Sequence, residues 1–254
     1  VIASPAGDAY YVTSSGGSSF QVIDPSNSNT FKSMAYQSKP DSIAISPDGA
    51  FIYITNTGDN TVYVIDASNN TVNSHIFVGK EPQGIAITPD GTYLLNWSLG
   101  SDTIKIWELE GGEEIQTLTG HAGGVSACAI HPDGSRFVSA GYDGTLKIWD
   151  LTKLAREHAK DNSAGGVRGV AVTPDGARAV TGNRDGSIQI WDLNTRAAQF
   201  TLQCQEDLMS VAVTPDGSRV AAGLWESLEV WDLKSRKRLI ADRWGEYGLA
   251  PQDF

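Results

Sequence analysis

Six times along this chain one phrase returns with small changes: IASPAG at 2–7, IAISPDG at 43–49, IAITPDG at 85–91, AIHPDG at 129–134, and VAVTPDG at 170–176 and 211–217. With Pro5, Pro47, Pro89, Pro132, Pro174 and Pro215 as register marks, the steps are 42, 42, 43, 42 and 41 residues. Nothing else in the sequence constrains the fold so tightly, because a fixed period means one supersecondary unit copied along the chain.

A second register mark agrees. A segment ending in an acidic residue recurs as VID at 22–24 and 64–66, WE at 107–108, and WD at 149–150, 191–192 and 231–232, with steps of 42, 42, 42, 42 and 40 residues. Each unit reads as an apolar strand A, a Pro-Asp-Gly turn, strand B, a Gly/Asp/Asn turn, strand C ending in the acidic residue, and a more variable strand D. Pro presets φ before the bend, Asp bonds its own backbone, and Gly accepts the left-handed conformation that ends the turn. Such a sheet cannot bury both faces alone, so neighbouring sheets must stack. The expected fold is all-β: a six-bladed β-propeller of four-stranded antiparallel blades, about 42 residues each, forming one domain over 1–254. Blade six ends with its own strand D near 238–244, so the chain ends are expected to meet by side-chain packing alone. The tail 245–254 is then expected either to lie across blade one or to lead into further blades.

Composition excludes several classes of function. With 40% hydrophobic residues and 27 Gly, no apolar run approaches the ~18 residues of a membrane helix. The chain opens at Val1 without an initiator Met, which reads as a processed, truncated or engineered end. A net charge of -11 argues against nucleic acid as a partner. The one basic cluster, Lys234, Arg236, Lys237, Arg238 and Arg243, reads as a solvated hairpin end. Cys128 and Cys204 fall on strands poorly placed for pairing and read as free thiols. His75, His121, His131 and His158 are scattered over turns and outer strands, so no metal site is expected, and no phosphate-binding, dinucleotide or metalloprotease motif implies a cofactor.

Blades four to six carry Gly120-His121, then DGTLKIWD at 143–150, DGSIQIWD at 185–192 and LEVWD at 228–232. In these motifs the chain resembles the WD-repeat family. The resemblance implies a structural hydrogen-bonded tetrad in blade four made by His121, Ser139, Asp143 and Trp149. Blade five keeps Thr181, Asp185 and Trp191, and blade six keeps Trp231 alone, so the tetrad should weaken along the chain. His, Ser and Asp are also the residue types of a hydrolytic triad. Ser139 inside strand B, beside a Trp donor, reads as a fixed structural network, and no catalytic residue is assigned.

Blades one and two carry YVTS at 11–14 with QVID at 21–24, and YITN at 53–56 with NTVYVID at 60–66. Here the chain is similar to the YVTN propeller family, a pattern that VGKEPQGIAITPDG at 78–91 continues into blade three. Blade three opens YVTN-like at Tyr93-Leu94-Leu95-Asn96 and closes WD-like at TIKIWE, 103–108. The crossover is therefore placed between residues 97 and 98, as recombination between two compatible propellers, natural or designed, would leave it.

Propeller geometry places the D-to-A and B-to-C loops on one face. There Tyr142, Arg168, Arg184, Met209 and Trp225, residue types enriched at interaction hot spots, are expected to gather on blades four to six. Trp225 stands where the tetrad Asp would be, and two placements are open: folded inward to fill that gap, or exposed with the others. The expectation is a non-enzymatic scaffold holding a protein or peptide partner on this top face. The alternatives are a ligand-binding or lactonase-like propeller using the channel mouth, where Asp41, Glu81 and Asp207 could meet a cation, or a hybrid without a selected partner.

Overall fold

The computed structural model describes residues 1–254 apart from 15–18, 26–30, 36–38, 99, 162–165 and 244–254, and also leaves aside the side chains of 31–35, 155–161 and 243. The tail at 245–254 thus lies outside the described residues, as do the side chains of His158 and Arg243.

Every described regular element is a strand, and each repeat forms one four-stranded antiparallel sheet in the order A-B-C-D. Blade one is β1 (Ile2–Ala3), β2 (Tyr10–Ser14), β3 (Ser19–Ile23) and β4 (Phe31–Ala35). Blade two is β5 (Pro40–Ile45), β6 (Phe51–Asn56), β7 (Thr61–Asp66) and β8 (Thr71–Phe77). Blade three is β9 (Gly84–Ile87), β10 (Tyr93–Trp97), β11 (Thr103–Glu108) and β12 (Glu114–Thr119). Blade four is β13 (Val125–Ile130), β14 (Arg136–Gly141), β15 (Thr145–Asp150) and β16 (Ala155–Asp161). Blade five is β17 (Val167–Val172), β18 (Arg178–Asn183), β19 (Ser187–Asp192) and β20 (Ala197–Gln203). Blade six is β21 (Leu208–Val213), β22 (Arg219–Leu224), β23 (Ser227–Asp232) and β24 (Arg238–Arg243). The fold class is a six-bladed β-propeller. The chain also divides into two compact units, 1–125 and 126–254.

The repeated turn holds its shape by the means its residues dictate. Gly7, Gly49, Gly91, Gly134, Gly176 and Gly217 all sit at φ between +67° and +73°, a region L side chains avoid. The preceding Ser or Thr closes the hairpin: Ser46 Oγ accepts the Phe51 amide at 2.9 Å, and Thr214 Oγ1 accepts the Arg219 amide at 3.0 Å. A second shared detail is a bulge where strand C meets strand D, falling before Ile65, Trp107, Trp149, Trp191 and Trp231. It turns the outer strand and adds local twist.

The core lies between blade faces within each unit. In the first, Phe20, Ile52, Ile54 and Ile65 join blades one and two, and Tyr53, Val64, Leu94 and Trp107 join blades two and three. In the second, Val138, Ile148, Val167 and Trp191 join blades four and five, and Ile188, Ile190, Leu208 and Val220 join blades five and six. Strands A approach closely: a Cβ on Gly169 would lie 3.1 Å from the Val211 amide nitrogen of the next blade. Small residues on the inner strands are required by that spacing.

Candidate functional site

In blade four the Trp149 indole N–H donates to Ser139 Oγ at 2.7 Å, and the Trp149 ring stacks on Phe137 at 5.8 Å between centroids. Ser139 is fully buried, so its hydroxyl fixes strand C to strand B and faces no solvent. Asp143 accepts the amide and hydroxyl of Thr145, closing the B-to-C turn. His121 belongs to the first unit and is buried there. Blade five repeats the arrangement with Trp191 donating to Thr181 Oγ1 at 3.1 Å and Asp185 capping Ser187.

Blade six departs from it. Ala222 faces Glu229 where Ser139 faces Lys147 and Thr181 faces Gln189, so no hydroxyl is offered to Trp231. The indole donates to Glu229 Oε2 at 3.0 Å, and Glu229 Oε1 accepts from Arg238 at 2.8 Å. Burial, with the neighbouring Glu229 carboxylate, pushes the Cys204 thiol up to about 12. Sequence reasoning missed Glu229. Its signal was a Glu two residues before the Trp, where the other two blades have Lys and Gln.

The five interaction candidates all lie in the second unit. Arg168, Arg184, Met209 and Trp225 line one open cavity of ≈ 510 Å³. Tyr142 adjoins them, with the Arg168 guanidinium 5.8 Å above its ring centre. Trp225 is 68% exposed, so it does not fold inward to fill the missing tetrad position. Glu206, Asp207 and Glu226 form the acidic part of the lining, of which only Asp207 was picked out from sequence.

The loops that hold these side chains are tied to one another. The Arg184 amide donates to Gly166 O at 3.0 Å, joining the B-to-C turn of blade five to the loop entering β17. The Glu226 amide donates to Glu206 Oε2 at 3.2 Å, joining the corresponding loops of blade six. Arg168 Nε is buried with no hydrogen-bond partner, although its guanidinium lies over an aromatic ring.

Asp41 and Glu81 lie in the first unit and Asp207 in the second; burial raises the Asp41 carboxyl above its usual range. Among the described residues, no three His, Cys, Asp or Glu side chains group as metal ligands, and no helix is long and apolar enough to cross a membrane. His131 is mostly buried: its Nε2 lies 2.9 Å from Gly176 O and its Nδ1 accepts the Asp133 amide at 3.3 Å. The basic cluster is divided in use, with Arg238 paired to Glu229 and Arg236 stacked 4.3 Å over Phe200. Both cysteines are free, and burial raises the Cys128 thiol well above its ordinary value.

Two family models match parts of the chain. The model "Lactonase, 7-bladed beta-propeller" matches residues 12–128, and the model "WD domain, G-beta repeat" matches 112–150 and 154–192. No curated protein matches the chain. The two matches overlap over 112–128, from the last strand of blade three into the first strand of blade four, with the period unbroken across them. The chain is a six-bladed β-propeller in which residues 12–128 are similar to lactonase-type propellers and residues 112–150 and 154–192 to WD repeats.

Proposed function

We propose that this chain is a non-enzymatic interaction module whose protein or peptide partner docks on Tyr142, Arg168, Arg184, Met209 and Trp225. The observation that carries the reading is Trp225. Trp97, Trp107, Trp149 and Trp191 are buried, whereas Trp225 stands 68% exposed in the same cavity as two arginines. Trp and Arg in one depression, with Tyr beside it, are the residue types that dominate binding energy at interfaces. The similarity of 112–192 to WD repeats supports it, since WD-repeat propellers commonly bind protein partners. The partner's acceptor groups would meet Arg168 and Arg184, and its basic groups Glu206, Asp207 and Glu226.

The test is affinity capture with the chain and with a Tyr142→Ala, Arg168→Glu, Arg184→Glu, Trp225→Ala variant, after thermal unfolding shows both folded. Any captured protein is then purified and titrated against both. Binding lost in the variant supports the reading; a purified partner that binds both equally removes it.

The similarity of 12–128 to lactonase-type propellers carries a second reading, hydrolysis by the first unit. Turnover of a chromogenic lactone above the rate with unfolded protein, retained in the four-residue variant, would favour it.

A further inference from the structure

The geometry points to a second docking surface on the outer rim of the first unit, where a basic, extended segment of a partner protein adds to blade two as a fifth strand along β8. β8 is the last strand of its sheet, so its outer edge is unpaired within the blade. Exposed edges are normally guarded by charge or proline. Outer strands β4, β12, β16 and β24 each contain Lys, Arg, Asp or Glu, whereas β8 (TVNSHIF) and β20 (AAQFTLQ) contain none. In β20 the Arg236 guanidinium covers Phe200 at 4.3 Å. In β8, Phe77 is 76% exposed.

Beside this edge runs a cleft of ≈ 720 Å³ along Asn73–Phe77. That is within the roughly 300–1,000 Å³ of sites that hold ligands. Its floor is apolar, made by Tyr53, Val64 and Trp107 of the core between blades two and three. Its far wall is the turn Leu109–Gly112. A strand laid along β8 would satisfy the edge N–H and C=O groups and place alternate side chains at the outer mouth of that cleft.

Charge selects the occupant. Residues 1–125 hold four Lys and no Arg against thirteen Asp and Glu, a net charge of -9. Glu110 lines the cleft, and Glu108 and Glu113 flank Gly111 at its wall. A segment with both apolar and basic residues among its cleft-facing, every-second positions therefore fits, and an acidic one is repelled.

The experiment uses the full chain and a fluorescein-labelled peptide pool of about nine residues, with lysine and an apolar residue (valine, leucine, tyrosine or phenylalanine) taking turns at odd positions and threonine at even ones. Fluorescence anisotropy should show saturable binding, weakened about tenfold or more by Glu110→Lys with Glu113→Lys and by Phe77→Ala. An N-methylated pool, unable to pair with the edge, should not bind, and β8 amides should exchange more slowly when the unmodified pool is present. An Arg184→Glu, Trp225→Ala variant should bind unchanged, which separates this surface from the one on blades four to six. Absence of saturable binding overturns the proposal. So does equal binding of the N-methylated pool, or of a pool with glutamate in place of lysine.

Discussion

Trp231 donates its indole N–H to Glu229 Oε2 at 3.0 Å, although the two residues stand two apart on the same strand. In blades four and five the acceptor comes from across the sheet, as Ser139 and Thr181. With Ala222 at that position, blade six recruits a carboxylate that is 1% exposed and anchors it with Arg238. One alanine on β22 is thus answered by a charge pair on β23 and β24.

Replacing Glu229 with Gln should destabilise the protein by about 1.5–3 kcal/mol, the usual range for hydrogen bonds to a charged group. Adding Ala222→Ser should recover part of the loss, because the introduced hydroxyl stands where Ser139 and Thr181 stand in register. Urea unfolding of the single and double variants checks this. A double variant no better than Glu229→Gln alone would mean that Trp231 does not return to the cross-strand acceptor.

Blade three presents the opposite mismatch. Trp107 Nε1 is buried without a partner, and Asn96, at the cross-strand position, donates to Gly84 O at 3.3 Å. Asn96 on β10 thus offers the tryptophan on β11 no hydroxyl of the kind that Ser139 and Thr181 supply in blades four and five. Trp107→Phe should therefore cost less than Trp149→Phe, by about 1 kcal/mol, the value of one hydrogen bond. Chemical denaturation of both variants tests the difference, and equal losses would show that the Trp149 bond contributes nothing net.

The blades were legible because the turn phrase and the strand-C acid repeat at nearly constant spacing, and each repeat is one sheet with its glycine at positive φ. Trp149 bonding Ser139 was legible through the resemblance of blade four to the WD-repeat family, which implies that pairing. The acidic half of the cavity was not. Glu206 and Glu226 sit in loops of irregular sequence, where no period says which way a side chain faces, and the Glu226–Glu206 link joins residues 20 apart. Glu229 hid on strand C, because its burial depends on an alanine that faces it from β22. The placement of Trp225 stayed open because an inward and an outward rotamer share one sequence; its exposure decides it.

Turn glycines at matched φ offer a controlled comparison between blades. A Cβ on Gly217 would lie 3.5 Å from Pro174, whereas one on Gly176 would lie 2.3 Å from His131 Nε2. Both Ala substitutions incur the left-handed backbone penalty of about 1–2 kcal/mol. Gly176→Ala must also displace the imidazole from Gly176 O, so it should cost about 1 kcal/mol more. Adding His131→Ala should narrow the gap. Thermal unfolding of the set measures it, and equal losses at the two glycines would show the His131 contact to be soft.

Acid should weaken the blades through their turns. Asp48, Asp90, Asp175 and Asp216 are held below the usual carboxylate range, chiefly by the hydroxyls of Ser46, Thr88, Thr173 and Thr214, then by the amides of Ala50, Thr92, Ala177 and Ser218. For Asp216 the folded value is about 2. Because folding depresses these values, their contribution is complete above the unfolded pKa of about 3.9 and is lost as pH falls through the folded ones. The Tm should therefore be nearly flat from about pH 7 down to about pH 4.5 and fall between about pH 4 and pH 2. Thr214→Val, which removes the hydroxyl bonded to Asp216, should lower Tm more at pH 6 than at pH 2, where the wild-type carboxyl is already about half protonated. Circular dichroism melts of both proteins across that range are the measurement. An equal loss at the two pH values would place the effect of Thr214 in its bond to the Arg219 amide instead.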